Sequence, residues 1–425
     1  MTRIHNSQGG LMRSIVILGA GTAGTMMANR LCSSLRHEIE TNEISITVVD
    51  QNREHVYQPG LLFVPFGVYK DKYDLVKPRE NFLPREAEFL VSSINRVDPE
   101  KNIVYLEKGE LQYDLLIIAS GSVIDPSEQE GMTGKHWQKS IFDFYTIDGA
   151  TKLQKAMRSF RGGNFILNIA EMPVKCPVAP PEFVMLADWY FHERGLRDKV
   201  KIFYSTPLDG PFTKPIASRT LQHVCNEKGI EIIPEFALSH VDNEKKQIVS
   251  YDGRELDFDL LVTIPTNKGA SFLEESGLGD ILNWVPTNNH TLQSKDFDNI
   301  FVVGDATNVP TSKAGSVAHF ESEIVLENIL RWLDGLEPLP NYDGHSNCFI
   351  ESGFDKALLI DFNYTQEPLP GKFPMPGIGP FTLLRETNMN HYGKMMFRWA
   401  YWHLLLMGKD MPISPYMSMA GKYYP

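Results

Sequence analysis

The segment SIVILGAGTAGTMMANRL (residues 14–31) reads as a buried strand, a glycine turn and a helix. Its glycines, Gly19, Gly21 and Gly24, have the spacing GxGxxG. Such glycines allow a tight turn, a close approach of the backbone to a pyrophosphate, and close packing of the helix on the strand. The N-terminus of the helix then directs its positive dipole end at the phosphates. This segment predicts a dinucleotide-binding α/β fold at the start of the chain.

A second strand strengthens this prediction. The segment ISITVVD (residues 44–50) ends in Asp50, which follows the last glycine of the turn at about the distance from which an acid accepts hydrogen bonds from the adenosine ribose hydroxyls. A lone GxGxxG is weak evidence. Strand, turn, helix and acid together favour a nucleotide site over a chance glycine turn.

Two later segments narrow the choice of nucleotide. YDLLIIASGSVIDP (residues 113–126) is an apolar strand followed by Ser120 and Gly121. FDNIFVVGDATNVP (residues 297–310) is another, and it runs into a Gly-Asp pair. In this order the three segments resemble the two-dinucleotide-binding-domain flavoproteins of the pyridine nucleotide-disulfide oxidoreductase superfamily.

This resemblance covers about residues 13–335 and implies that the cofactor is FAD. It also implies that the turn at Ser120 and Gly121 closes over the FAD. The Gly-Asp pair is Gly304 and Asp305, and by the same resemblance the Asp305 carboxylate binds the ribityl chain.

The second nucleotide-binding unit has lost its glycine turn. Its strand, NFILNIA (residues 164–170), is followed by EMPVKCPVAPPEFVMLADWYF, which has four prolines and no glycine between Ala170 and Phe183. Proline lacks an N–H group and fixes φ, so this turn cannot present a set of amides to a pyrophosphate. We therefore expect the second domain to keep a Rossmann-like fold without binding NAD(P)H.

The proline-bearing turn carries Cys176 and, six residues later, Glu182. It resembles the corresponding turn of sulfide:quinone oxidoreductases and flavocytochrome c sulfide dehydrogenases. The segment 342–374 is similar to the C-terminal region of sulfide:quinone oxidoreductases, and this similarity makes Cys348 the second redox cysteine. The residues alone leave open that both are buried structural thiols.

The resemblance implies that Cys176 and Cys348 converge on one face of the flavin. Sulfide is a nucleophile that attacks a disulfide or polysulfide sulfur, and Glu182 is the candidate for moving protons. Many members of the family carry a third cysteine that binds the flavin covalently, but residues 139–153 contain none. We therefore expect non-covalent FAD, with Cys32 and Cys225 as core thiols. No cysteine has a metal-ligand spacing, so no metal site is expected.

The route by which electrons leave is suggested by residues 307–330. Lys313 and Gly315 match the Lys-x-Gly of the family, which opens a helix pointing at the flavin. A positive charge and a helix dipole there would stabilise the anionic reduced flavin, and the lysine in the family also borders the quinone pocket. The residues alone would also allow a solvated lysine at a helix start. His319, on the same helix, receives no role.

The C-terminal segment, residues 391–425, is rich in aromatic residues and Met, and its basic residues outnumber its single acid. An apolar helix flanked by cations can lie in the headgroup region of a bilayer, although this one is too short to span it. The alternative is a helix docked on the protein or on a second subunit. The apolar positions are Phe397, Trp399, Trp402, Leu404, Leu405 and Leu406, and the cations are Lys394, Arg398, Lys409 and Lys422.

The sequence thus predicts an α/β protein with two Rossmann-like domains and a C-terminal amphipathic helical tail. The FAD-binding domain is expected at 13–150 and 266–345, the second domain at 151–265, and a quinone- and membrane-interacting region at 346–425. Residues 1–12 are interpreted as a leader that is not a signal peptide. The net charge of −12 argues against nucleic-acid binding.

The leading functional hypothesis is a peripheral, monotopic sulfide:quinone oxidoreductase that forms a homo-oligomer and uses a membrane quinone. One alternative is a type II NADH:quinone oxidoreductase-like enzyme, which the missing glycine turn opposes. Another is a flavin-containing sulfur-binding protein without quinone turnover. A soluble sulfide dehydrogenase that passes electrons to a haem subunit is opposed by the aromatic tail and by the lack of an export signal.

Overall fold

The computed structural model describes residues 12–424, so most of the predicted leader lies outside the described residues. The first domain is built on a five-stranded parallel sheet whose central strands are buried on both faces. Such strands read as unbroken apolar runs, as residues 15–18 do. In spatial order the strands are Ile300–Val302, Leu115–Ile118, Arg13–Leu18, Ile44–Asp50 and Glu88–Val91.

The first domain is assembled from two separated stretches of chain. Strand Ile300–Val302 pairs in parallel with Leu115–Ile118. The helix that follows it, Gly315–Leu333, packs on helix Thr22–Ser34. This return of the chain places the Gly-Asp pair beside the N-terminal glycine turn.

The second domain also has a five-stranded parallel sheet, which confirms the expected α/β class with two Rossmann-like units. In spatial order its strands are Ile141–Phe142, Leu260–Ile264, Gly163–Ile169, Val200–Ser205 and Ile230–Ile233. Its helices are Ile147–Ser159, Ala179–Glu193 and Pro215–Glu227. Because the first of these strands lies before residue 150, the second sheet begins upstream of the predicted boundary; the domain limits stay a prediction.

Smaller elements surround the two sheets. Two antiparallel three-stranded sheets consist of Ile94–Asp98, Ile103–Leu106 and Glu110–Gln112, and of Leu238–Asp242, Gln247–Ser250 and Glu255–Asp257. Two strand pairs are Glu54–Val56 with Val76–Pro78 and Val123–Asp125 with Thr266–Lys268. The short helices are Arg36–Glu40, Asp71–Leu75 and Ser271–Glu275. Short 3₁₀ turns occur at Gln58–Phe63, Arg79–Asn81, Pro126–Glu128, Arg197–Lys199 and Gly304–Ala306.

The C-terminal region contains two hairpins before its helix. The first pairs Ser346–Gly353 with Lys356–Phe362, and the second pairs Gly371–Met375 with Gly379–Leu383. The second hairpin is not visible in the sequence as hydrophobic periodicity, because prolines and glycines interrupt its strands. Helix Asn388–Ala400 follows and continues into one π-helical turn, Tyr401–Leu405.

Three of the six apolar residues that were expected to contact a membrane pack against the first domain. Trp402, Leu405 and Leu406 are buried, and the Trp402 ring stacks on Phe82 with centroids 5.0 Å apart. The predicted role of these three residues in a headgroup layer is therefore wrong, because the first domain supplies the apolar surface that covers them. Among the described residues, no helix combines the length and hydropathy needed to cross a bilayer.

A buried ionic cluster fixes the end of the chain. The Asp361 carboxylate lies 2.6 Å from Lys422 Nζ and 2.7 Å from His345 Nε2, and the three side chains are almost fully buried. The His345 ring also stacks on Phe320, with a centroid separation of 4.4 Å. Lys422, expected among the membrane-flanking cations, therefore joins the last residues to the first C-terminal hairpin.

We predict that Lys422→Met lowers the free energy of unfolding by about 3 kcal/mol, because removing one partner leaves a buried carboxylate without its counterion. Urea denaturation of the FAD-loaded protein measures this change. Lys409→Met, at an exposed lysine of the same segment, is the matched control and should be neutral. Equal stability of the two variants would contradict the structural role of the cluster.

Candidate active site

One cavity of about 720 Å³ is lined by the first domain, the second domain and the C-terminal region. Every residue that the sequence analysis assigned to the site lies on its wall, with the exception of Gly24. These lining residues are Gly19, Gly21, Asp50, Ser120, Gly121, Cys176, Glu182, Gly304, Asp305, Lys313, Gly315 and Cys348.

The three glycines of the first turn have different surroundings. Gly19 has a φ of +103°, which L side chains rarely adopt. A Cβ atom on Gly24 would lie 1.8 Å from the carbonyl oxygen of Gly19, so this glycine serves the packing of helix on strand and lies behind the cavity wall. A Cβ atom on Gly21 would meet no atom within 4 Å, because Gly21 faces the open cavity. The space at Gly21 fits a pyrophosphate.

Asp50 lies where a ribose-binding acid is expected. Its carboxylate accepts hydrogen bonds from the backbone N–H groups of Ala20, at 2.8 Å, and Asn52, at 2.9 Å. Arg79 Nη1 lies 3.0 Å from the same carboxylate. The sequence analysis missed Arg79, and no motif marks it, because only the fold brings it to the cavity.

Several polar groups of the cavity have no protein partner among the described residues. Arg79 Nε and the hydroxyl of Ser120 are buried without hydrogen-bond partners. Helix Thr22–Ser34 has no side-chain N-cap, so its first N–H groups are free to bind an anion. These unpaired donors beside an open glycine turn fit the phosphates and ribose of a bound dinucleotide.

Lys313 is buried against carbonyl oxygens and not solvated. Its Nζ donates to the carbonyl oxygens of Asp305, at 3.0 Å, and Thr307, at 2.6 Å. It also lies 4.2 Å from the ring centroid of Trp284. Burial lowers the pKa of Lys313, and Asp305 opposes this shift. Gly315 begins the helix whose uncapped N-terminus faces the cavity.

The two cysteines reach the cavity from different domains. Cys176 lies in the turn before helix Ala179–Glu193 with a φ of +53°, and its N–H donates to the carbonyl oxygen of Lys313 at 2.9 Å. Cys348 lies on strand Ser346–Gly353. Burial raises the pKa of Cys176 to about 11, and Lys394 opposes the rise. Burial, with a contribution from the Cys176 charge, also raises the pKa of Cys348, and both residues line the same cavity.

Glu182, in the helix that follows Cys176, contacts two other segments of the chain. Its Oε1 atom lies 2.7 Å from Lys394 Nζ and accepts a hydrogen bond of 2.9 Å from the N–H of Glu351. Its Oε2 atom is buried and has no hydrogen-bond partner among the described residues. Burial raises the pKa of Glu182, and Lys394 opposes the rise. Lys394 was expected at a membrane surface, but the ion pair with Glu182 holds it largely buried.

The turn that replaces the second glycine loop closes against the first domain. Lys175 Nζ donates to Gln58 Oε1 at 2.8 Å and to the carbonyl oxygen of Ser122 at 2.9 Å. Pro180 and Pro181 are buried in the first turn of the following helix, so that turn lacks two N–H donors. A pyridine dinucleotide would find few donors at this helix.

The C-terminal region gives the cavity an apolar wall that reaches the protein surface. Met396 and Trp399 line the cavity, yet they are 66% and 57% exposed, so the cavity opens to the surface beside them. Further apolar lining residues of this region include Phe349, Phe373, Phe381, Phe397, Leu404, Met411 and Ile413.

The comparison with known proteins agrees with this architecture. The chain matches the family described as "Pyridine nucleotide-disulphide oxidoreductase" over residues 13–319. The chain belongs to that family. It is an FAD-dependent oxidoreductase, and non-covalent binding is consistent with the burial of Cys32 and Cys225 away from the cavity lining.

Several similar proteins are named sulfide:quinone oxidoreductase, the group that the sequence resembles. The chain is 26% identical to the mitochondrial sulfide:quinone oxidoreductase of Mus musculus, with 93% of this chain and 86% of the relative covered. It is 27% identical, with the same coverage, to the mitochondrial enzyme of that name from Dictyostelium discoideum. The sulfide:quinone oxidoreductase structure from Aquifex aeolicus has a similar fold, with a TM-score of 0.76 at 20% identity and coverage of 93% and 92%. The predicted resemblance to this group is confirmed.

We predict that Gly21→Ala and Gly24→Ala have different effects. Gly24→Ala should destabilise the folded protein by about 1–3 kcal/mol, because its Cβ collides with backbone. Gly21→Ala should leave the apoprotein equally stable and weaken FAD binding about tenfold, because the new methyl group occupies the space of the phosphates. Thermal unfolding of the apoprotein and fluorescence titration with FAD separate the two. Unchanged FAD affinity in Gly21→Ala would contradict the assigned pyrophosphate position.

Proposed function

We propose that this chain is a sulfide:quinone oxidoreductase that oxidises sulfide to sulfane sulfur with Cys176, Cys348 and FAD, and passes the electrons to a membrane quinone. The observation that carries the proposal is that both cysteines line one cavity with the residues that fit FAD. The names of the relatives from Mus musculus and Dictyostelium discoideum support the same activity.

The cysteine pair suits sulfur chemistry. Hydrosulfide attacks one sulfur of a Cys176–Cys348 disulfide, which makes a persulfide on one cysteine and releases the other as a thiolate. Bond formation between that thiolate and the persulfide gives a trisulfide and releases two electrons and the persulfide proton. FAD, when bound, would supply the acceptor for the electrons. Burial raises the pKa of both cysteines, and the charge of Lys394 opposes this rise, because a neighbouring cation favours the thiolate form. Glu182, with its unpaired buried oxygen, is suited to accept or donate protons.

Two alternatives fit the site less well. A type II NADH:quinone oxidoreductase needs a nicotinamide site, and the proline-bearing turn offers few N–H donors and packs on the first domain. A sulfur-binding flavoprotein without quinone turnover does not need the apolar cavity wall that the C-terminal region supplies. The aromatic wall that opens at Met396 and Trp399 favours an apolar acceptor such as a quinone.

The same opening suggests how the protein meets a membrane. The C-terminal region carries exposed apolar side chains, among them Met396 and Trp399 at the opening, and we propose that they enter the headgroup layer as a monotopic contact. Formation of a homo-oligomer stays a prediction. The exposed residues of this apolar surface are Met375, Ile378, Met389, Tyr392, Met396 and Trp399.

The cysteine assignment is tested by Cys176→Ser and Cys348→Ser. Both variants should bind FAD, but anaerobic sulfide should no longer bleach their visible flavin band, because a lone thiol cannot form the disulfide. Cys225→Ser, at a buried core cysteine, is the control and should be reduced like the unchanged protein. Sulfide-dependent bleaching in both test variants would refute the paired-thiol mechanism. Bleaching by NADH and not by sulfide would favour the first alternative.

The membrane contact is tested by a double substitution, Met396→Glu with Trp399→Glu. It should reduce co-sedimentation with phospholipid vesicles, since two charges would enter the apolar surface. The control is Ile281→Glu, at a 96% exposed apolar residue that does not line the cavity. If the double variant and Ile281→Glu sediment with the vesicles to the same extent, this surface is not the membrane contact.

A further inference from the structure

The proposed reaction requires a proton from solvent. Hydrosulfide that becomes sulfane sulfur gives up two electrons and one proton. A quinone that becomes a quinol takes up two electrons and two protons. One proton must therefore enter in each turnover, although Glu182, the acid beside the cysteines, is fully buried.

Two groups of polar side chains lie between Glu182 and the surface. Glu182 pairs with Lys394 at 2.7 Å, and Lys394 Nζ also donates to the carbonyl oxygen of Phe349 at 3.0 Å. The Glu351 carboxylate holds the ring of His391, with Nδ1 2.9 Å from each oxygen. His391 Nε2 lies 3.7 Å from the carboxylate of Asp355, which is 82% exposed.

The backbone of Glu351, on strand Ser346–Gly353, links the two groups. The N–H of Glu351 donates to Glu182, and the charges of Glu182 and Lys394 act on the Glu351 carboxyl group. We propose that Glu351 and His391 form the route by which protons pass between solvent and the buried Glu182–Lys394 pair. This inference rests on the proposed function and adds its proton supply. Because both residues act through Glu182, they are relay residues and do not contact substrate.

The surroundings of Glu351 suit proton exchange near neutral pH. Burial raises its pKa to about 7, Glu182 adds to the rise, and His391 and Lys394 oppose it. Helix Ala179–Glu193 contributes Glu182 to these surroundings, helix Asn388–Ala400 contributes His391 and Lys394, and the strand's own hairpin contributes Asp355. Burial raises the pKa of Tyr69, and the charge of Glu351 adds to this rise. Below about pH 7 the Glu351 carboxyl group holds a proton that it can donate, and above that pH it loses it.

The relay is tested by chemical rescue. Glu351→Ala and His391→Ala should slow sulfide-dependent reduction of decylubiquinone about a hundredfold, the lower end of what a positioned proton-transfer group contributes. Acetate should restore turnover of Glu351→Ala, and imidazole that of His391→Ala. The rate ratio of unchanged protein to Glu351→Gln should be largest below about pH 7 and fall as pH rises through it. The ionisation of sulfide cancels in this ratio.

The control is His223→Ala, which removes an exposed histidine paired with Glu227 on a helix outside the cavity. It should keep full turnover and show no response to imidazole. If Glu351→Ala fails to bind FAD, His391→Ala carries the test, because His391 is less buried. Slowed turnover without rescue would indicate a structural role and overturn the relay, as would unchanged turnover in both variants.

Failure of the proposed function would be visible separately. If sulfide supports no turnover of the unchanged protein, its re-oxidation by decylubiquinone after reduction with dithionite still requires protons. A slower, rescuable re-oxidation of Glu351→Ala would then support the relay without the sulfide assignment. Equal re-oxidation of Glu351→Ala and the unchanged protein would overturn the relay.

Discussion

The Glu182 carboxylate holds together the part of the molecule on which the proposed chemistry depends. It lies in the first turn of a second-domain helix and binds both a C-terminal strand, through the N–H of Glu351, and the C-terminal helix, through Lys394. That strand carries Cys348, and Cys176 precedes the helix. A buried carboxylate is costly unless it is paired and hydrogen-bonded, so these contacts constrain how the three segments can pack. The same constraint places both cysteines on the wall of one cavity.

The sequence predicted the parts of the fold that have local signals. The glycine turn, the acid at the end of the second strand and the Gly-Asp pair all lie at one cavity because each is positioned by a parallel strand whose carboxyl end faces it. The missing second glycine turn also corresponds to a real structural difference, since prolines occupy the helix start. These features depend on spacing along the chain, which the sequence displays directly.

Contacts between distant segments were not predictable in this way. Arg79 reaches Asp50, and Lys394 reaches Glu182, only after the chain has folded. The C-terminal helix illustrates the difficulty. Its apolar and basic residues predicted a membrane contact, yet Trp402 packs on Phe82 and Lys394 turns inward, while Met396 and Trp399 stay exposed. One amphipathic pattern thus serves a protein core on one side and an open apolar surface on the other.

The proposed chemistry requires Cys176 and Cys348 to act as one pair, and mass spectrometry of the peptides that contain them tests this most directly. Protein treated anaerobically with sulfide, alkylated, and digested without reductant should yield the Cys176 and Cys348 peptides joined to each other, directly or through additional sulfur atoms. Cys32 and Cys225 should appear as separate peptides. Recovery of the Cys176 and Cys348 peptides only as singly alkylated species, or joined to the other two cysteines, would contradict the account.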